Sequence, residues 1–260
     1  MEDLNGKTIV VTGAAGGLGQ EYGKQLIRLG ANLILTDYDE VAMKAVAEKI
    51  AAKKSATGKA LAAFGADVST PEGCAELHRR ATEAAPEIDL LINNAGVINY
   101  GYFHEIPANK WERLIAVNLL APMRLTHLFL PAMVKRGAGR IAFMCSVAGF
   151  ISTPLGTPYA TSKFGMRGFA LGVAGEVERF GVGVSIIYPF WVNTQLLKSP
   201  EYGEAQVGKL PSVFYGNPRN VVRRAIRGIR KGRRHIYPDL YSWFCWHGSK
   251  LWPFTSEQAH

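Results

Sequence analysis

The sequence predicts an α/β protein, a single doubly wound parallel sheet of about seven strands with helices on both faces. Three observations predict it. From Lys7 to Tyr188, short apolar runs bounded by turn residues alternate with longer helical stretches, the signature of strand–helix–strand units in a parallel sheet. The first apolar run enters a glycine cluster that opens a helix, which fixes the direction of the first crossover. No repeat, low-complexity linker or change of composition divides the 260 residues, so residues 1–260 read as one large domain.

The elements follow in order. Lys7 to Thr12 is a buried strand, followed by Gly13-Ala14-Ala15-Gly16-Gly17-Leu18-Gly19 and a helix from about Leu18 to Leu29. Glycines at such a turn let the backbone approach a pyrophosphate, and the helix N-terminus offers it free N–H groups and partial positive charge. This is the opening of a dinucleotide-binding unit. The second strand, Ala31 to Asp37, ends in an acid that can accept hydrogen bonds from an adenosine ribose and repel a 2′-phosphate. No Arg or Lys in the glycine loop or just after Asp37 offsets that charge, which favours NAD over NADP. The alternative is an acid that simply starts the next helix.

That helix runs from Asp39 to about Ala56, and Leu61 to Ala66 is the third strand, ending at Asp67-Val68. Ser69-Thr70-Pro71-Glu72 opens another helix with a cap and a proline in its first turn. Ile88 to Ile92 is a strand running into Asn93-Asn94-Ala95-Gly96, a composition suited to a tight turn braced by side-chain hydrogen bonds. Pro107 to Arg136 reads as one long helix containing Pro122 and Pro131. Asn118 lies among apolar neighbours within it, and a buried amide demands partners. Gly139 to Ser146 is the fifth strand, with a serine at the end where open α/β sheets bind ligands. Thr157 to Phe180 is a helix carrying Tyr159 and Lys163 one turn apart on one face. An ammonium so placed would stabilise the phenolate and lower the tyrosine pKa, suiting it to general acid/base work. Gly183 to Tyr188 is the sixth strand, followed by Pro189-Phe190-Trp191-Val192-Asn193-Thr194.

Composition sets further bounds. With 48% hydrophobic and 20% charged residues and a mean hydropathy near zero, the chain is globular rather than disordered. No run of 18 or more consecutive apolar residues occurs, and the start, Met1-Glu2-Asp3-Leu4, lacks an apolar signal core. Three scattered cysteines, Cys74, Cys145 and Cys245, suggest reduced thiols and a cytoplasmic setting. Of the net charge of +9, seven charges fall between Arg223 and Arg234, where no acid occurs. That run is either a solvated helix face or a contact for an anionic surface. No nucleic-acid motif accompanies it, and no metal site is expected.

Together the motifs Thr12-Gly13-x-x-x-Gly17-x-Gly19, Asp67-Val68, Asn93-Asn94-Ala95-Gly96, Asn118, Ser146 and Tyr159-x-x-x-Lys163 resemble those of the short-chain dehydrogenase/reductase family, in its order and spacing. The resemblance implies a Rossmann-type fold and NAD as cofactor, with NADP the lesser candidate. It implies Tyr159 as general acid/base, Lys163 as its partner and a ligand of the nicotinamide ribose, Ser146 as the holder of the substrate oxygen, and Asn118 as anchor of a proton relay. Gly13, Gly17, Leu18 and Gly19 would cradle the pyrophosphate and Asp37 the adenosine ribose. Asp67 and Val68 would meet the adenine, Asn94, Ala95 and Gly96 the ribose region, and Val192 and Thr194 the carboxamide. One departure is Phe190, where the family usually places a glycine after the proline. The bulky ring would fill part of the substrate wall.

Ile98, Tyr100, Phe150, Ile151, Leu155, Phe190, Trp191 and Phe214 are candidate pocket residues, the alternative being that many of them are core or subunit contacts. An apolar, aromatic pocket suits a lipophilic secondary alcohol or ketone such as a steroid, a terpenoid or a fatty-chain compound, with residues 195–216 as a lid. Alternatives are an NADPH-dependent carbonyl reductase and a non-catalytic NAD-sensing scaffold. Residues 223–260 form a basic and aromatic tail with Trp243, Trp246 and Trp252. It would pack in a homodimer or homotetramer, as the resemblance implies, or lie on a membrane surface.

Overall fold

The computed structural model describes residues 2–51, 57–204, 208 and 211–251. Seven strands form one parallel sheet in the order β3-β2-β1-β4-β5-β6-β7. They are β1 Thr8–Thr12, β2 Asn32–Asp37, β3 Ala60–Gly65, β4 Leu90–Asn93, β5 Gly139–Met144, β6 Val182–Ile187 and the two-residue β7 His235–Ile236. The helices are α1 Gly17–Arg28, α2 Glu40–Ala51, α3 Pro71–Ala84, α4 Ala108–Ile115, α5 Ala121–Arg136, α6 Thr157–Val177, α7 Pro218–Arg230 and α8 Leu240–Leu251.

The central strand shows why both faces must be covered. Ile9 and Val11 of β1 point into one core with Tyr22 and Leu26 of α1 and Val222 and Ile226 of α7. Val10, between them, points into the other core with Leu77 of α3, Phe129 of α5 and Met166 of α6. All five β1 residues are buried, as continuous apolar runs in a parallel sheet require. The chain winds outward from β1 to β3, then returns to β4 on the other side of β1. That reversal opens a crevice at the C-terminal ends of β1 and β4, where ligands bind in open α/β sheets.

Most predicted elements recur with shifted ends. Thr70 caps α3 by accepting from Gly73 N at 3.0 Å, with Pro71 in the first turn. The long helix read from Pro107 to Arg136 is interrupted: a π turn, Ala116–Leu120, separates α4 from α5. Such widened turns arise where one residue's backbone is diverted from the helical ladder, and this one carries Asn118. The combined run Ala108–Arg136 is long and apolar enough to cross a membrane by length and composition. Leu114, Leu125, Phe129 and Met133 are nevertheless buried within the fold, the behaviour of a core helix. Ser146 stands just past β5, and Phe180 lies in a short 3-10 turn after α6. The predicted end of α2 at Ala56 lies outside the described residues, as do 205–207, 209–210 and Trp252 onward.

α8 is tied inward. Asp239 caps it by accepting from Ser242 N at 2.7 Å. Trp246 packs edge-on to Phe150 at 5.2 Å, stacks near Tyr237 at 5.6 Å, and takes the Arg167 guanidinium over its ring at 5.0 Å.

Candidate active site

The crevice begins at the glycine turn. Gly13 has φ 64°, and a Cβ there would lie 2.7 Å from Ala95 Cα, so only glycine passes beside the end of β4. A Cβ on Gly17 would press on Thr194 at 3.0 Å, and one on Gly19 would overlap the Gly13 carbonyl. The turn is locked from β4. Thr12 Oγ1 accepts from the N–H groups of Asn94 and Ala95, both at 3.0 Å, and Asn94 Nδ2 donates to Thr12 O at 2.9 Å and Gly13 O at 3.0 Å. Asn94 is therefore the brace its composition suggested. Gly16 provides no side-chain cap to α1, so no side chain takes the N–H groups of the first turn, and Gly16, Gly17 and Gly19 leave the backbone there without Cβ atoms. A pyrophosphate fits that cradle.

Around it stand the other candidate cofactor residues. Asp37 ends β2 with one carboxylate oxygen accepting from Ala15 N at 3.0 Å and the other from Tyr38 N at 2.8 Å. The acid is thus held against the glycine turn. Asp67 pairs with Arg113 at 3.1 Å and accepts from Ser69 N at 3.0 Å. Burial pushes its carboxyl up, but the Ser69 and Arg113 hydrogen bonds outweigh that and hold it below the ordinary value. Val68 is buried in the core under α3. Val192 pairs with Gly216 across the loop after β6, which sets Thr194 against Gly17.

On the β5 side, Ser146, Tyr159 and Lys163 line one cavity of about 560 Å³, together with Leu18, Asn94, Gly96, Val192 and Thr194. Ser146 caps the turn after β5, accepting from Ala148 N at 3.2 Å, and its hydroxyl reaches Pro189 O at 3.5 Å. Lys163 is buried, and its ammonium donates to Met144 O at 2.9 Å. It stands 5.5 Å from the Tyr159 ring centroid. Asn118 is fully buried within the π turn. Its Oδ1 accepts from Val97 N at 2.8 Å, and its Nδ2 donates to Val97 O at 2.8 Å and to Ser162 Oγ at 3.2 Å. Ser162 in turn donates to Tyr159 O at 2.7 Å. A Cβ on Gly96 would stand 3.4 Å from Asn118 Oδ1 and 3.9 Å from Lys163 Nζ, so both polar groups border the same narrow space.

The expected pKa effect of Lys163 on Tyr159 is corrected by this geometry. Burial raises the Tyr159 pKa, and a hydrogen bond from Ser146 opposes it only in part. Burial also lowers the Lys163 ammonium to about 8, with Cys145 acting against that shift. Desolvation is the largest cause of the shift in each group.

Of the candidate pocket residues, Ile98, Tyr100, Ile151, Phe190 and Trp191 line the cavity. Phe150 packs instead on Trp246 and Tyr188, and Phe214 on Tyr241. Leu155 sits nearby in a left-handed conformation, φ 65°, outside the lining. Met144, Cys145, Leu196, Leu197 and Cys245 also line the space. Cys245 comes from α8, so the C-terminal helix is part of the pocket wall. The signal was present: Asp239-x-x-Ser242 is a helix start, and it sets Tyr241 and Cys245 on one face.

Residues 7–204 match the profile of the short chain dehydrogenase family. The chain belongs to that family. It is 32% identical over 208 residues to the D-beta-hydroxybutyrate dehydrogenase of Cupriavidus necator, covering 80% of this chain and 79% of that one. Among solved structures, this short-chain dehydrogenase superposes on one from Burkholderia phymatum in complex with NAD, with a TM-score of 0.84 and 26% identity, covering 97% of each. It also superposes on one from Sphingobium yanoikuyae in complex with NADPH, with a TM-score of 0.80 and 28% identity, covering 98% of this chain and 97% of that one. The protein is thus an oxidoreductase with a Rossmann-like nucleotide-binding fold, of a family that uses nicotinamide cofactors.

Proposed function

We propose that this protein transfers hydride between NAD(H) and a lipophilic secondary alcohol or its ketone, with Tyr159 as general acid/base. The observation that carries the reading is the meeting of Ser146, Tyr159 and Lys163 in a cavity walled by Ile98, Tyr100, Ile151, Phe190 and Trp191. The cofactor, when bound, supplies the hydride acceptor or donor. The remaining work belongs to the chain. Ser146 holds the substrate oxygen, and Tyr159 takes its proton in oxidation or returns one in reduction. Lys163 supplies positive charge beside that oxygen. Asn118 holds the π turn to the Val97 backbone in the loop after β4, and the two would border a proton path to solvent. The glycine turn at Gly13 to Gly19 with Leu18 would hold the pyrophosphate, Asp37 the ribose, Asp67 and Val68 the adenine side, Asn94, Ala95 and Gly96 the floor, and Val192 and Thr194 the carboxamide.

Asp37 supports NAD, because its carboxylate occupies the side where a 2′-phosphate would carry like charge. An NADPH-dependent carbonyl reductase remains the second reading, favoured by the NADPH-bound neighbour. A non-catalytic scaffold is disfavoured because the four catalytic positions are all filled and gathered. A lipophilic substrate is supported by charge: among the described lining residues, Lys163 alone is ionic. A hydroxy acid, the substrate class named for the Cupriavidus relative, would bring a carboxylate with no second cation to meet it there. Residues 195–216, with short 3-10 turns at Gln195–Lys198 and Ser212–Phe214, serve as the lid. A homodimer or homotetramer is supported by Leu120, Met123 and Phe164, which expose apolar surface on the α5 and α6 side. A screen of secondary alcohols, steroids and hydroxy acids included, for NADH formation tests the reading. Turnover of hydroxy acids but of no apolar alcohol would overturn its substrate class.

A further inference from the structure

The α7–α8 surface carries two features the catalytic reading does not use. α7 contributes Arg219, Arg223, Arg227 and Arg230, spaced three or four residues apart and hence along one stripe. With Arg28 of α1 they line a groove of about 600 Å³. Arg230 donates to Glu2 O at 2.6 Å and Arg224 to Pro238 O at 2.8 Å, both acceptors being backbone carbonyls, and Glu2 is the one acid among the described residues lining the groove. α8 is apolar on two faces. Tyr241, Cys245 and Trp246 face inward, while Leu240, Trp243 and Phe244 are 63%, 44% and 56% exposed. α8 carries no acid, and the Arg224 bond to Pro238 ties the basic helix to the segment entering α8.

We infer that this surface docks on an anionic phospholipid bilayer, with the α7 arginines on lipid phosphates and the outer aromatic rings of α8 in the interface. The Arg224 bond to Pro238 O brings the basic helix next to the start of α8, and cations together with interfacial aromatics are the recognised chemistry of such contacts. A second copy of the chain is a poorer occupant. A two-fold contact sets a patch against itself, which would oppose one arginine stripe to another and cost repulsion. Because α8 also walls the pocket through Cys245 and packs Tyr241 on Phe190 at 5.6 Å, the bilayer and the substrate cavity share one helix. The docking itself does not depend on the catalytic reading.

Co-sedimentation of the full chain tests it, with vesicles of phosphatidylcholine alone and of phosphatidylcholine mixed with phosphatidylglycerol. The chain sediments with the mixed vesicles only, and added salt releases it. Arg223→Gln with Arg227→Gln, and separately Trp243→Ala with Phe244→Ala, each lower the partition coefficient by about tenfold or more. All four residues are exposed, so both double variants keep the wild-type melting temperature. Inorganic phosphate displaces the chain no better than chloride at equal ionic strength. Failure to sediment, equal sedimentation with both vesicle types, or indifference to both double variants overturns the proposal. So does selective displacement by phosphate, which marks a site for the free anion. A smaller native mass for Trp243→Ala with Phe244→Ala also overturns it, since that marks a subunit contact.

Discussion

Asp239 holds Phe190. One oxygen of its carboxylate accepts from the Phe190 backbone N–H at 3.1 Å, and the other caps α8 through Ser242 N at 2.7 Å. A single side chain thus fastens the pocket wall to the helix that covers it, and the Phe190 ring rests against Tyr241 of the same helix at 5.6 Å. The position after Pro189, where the family usually has a glycine, is filled by a residue with its own tether.

Asp239→Ala removes a helix cap and leaves the Phe190 N–H without its acceptor. The expected loss is about 1–3 kcal/mol, read as a lower denaturant midpoint. The loosened wall raises KM for the best alcohol more than it lowers kcat. Asp239→Asn, which can still accept at one oxygen, recovers part of both. An unchanged KM in the alanine variant would separate α8 from substrate binding.

Tyr159→Phe keeps the ring and removes the hydroxyl proposed to carry the proton. Turnover falls by about 10²–10⁴-fold, the usual worth of a positioned acid/base, while NADH binding, followed by fluorescence, stays within a few-fold of wild type. Loss of binding together with turnover would point to a collapsed cavity rather than a lost proton carrier.

The residues differ in how openly they announced this architecture. β1, the glycine turn and α1 were legible because buried parallel strands are continuous apolar runs and Gly13 answers a local backbone demand. Tyr159 and Lys163 were legible as a pair through helical spacing. Their pKa relationship was not, because it depends on how deeply each is buried and on Met144 O taking the ammonium, and spacing carries neither. Asn118 announced itself as an amide in an apolar run, but the π turn that houses it is a backbone detail without a sequence period. Phe150 and Phe214 fall to the alternative of packing contacts for a related reason: an aromatic residue near a site segment can serve the pocket or the helix behind it, and only the packing of Trp246 and Tyr241 decides.

Asp37 makes cofactor choice testable. Its carboxylate is fixed by Ala15 N and Tyr38 N, so a 2′-phosphate would have to share that space with a held negative charge. Asp37→Ser removes the repulsion and keeps a hydroxyl. The ratio of kcat/KM for NAD over NADP falls by about tenfold or more, the equivalent of about 1.4 kcal/mol, chiefly through better use of NADP. If the ratio does not move, Asp37 serves only to hold the glycine turn.

Lys163 gives a pH dependence of stability. Its pKa falls from an ordinary 10.5 to about 8 on burial, so between those values the unfolded chain binds more protons than the folded one, and stability rises with pH. Below about 8 both states are protonated, and the folded state carries the full cost of a desolvated ammonium. Above about 10.5 both are neutral and the cost is gone. The span is on the order of 3 kcal/mol. Lys163→Met lacks the titrating group, so the difference in unfolding free energy between wild type and variant shifts toward wild type from pH 8 to 10.5. Urea titrations of both proteins across that window measure it. A difference that stays constant would mean that the ammonium is solvated in the folded chain, and that Tyr159 has a better-hydrated neighbour than the cavity around Met144 O implies.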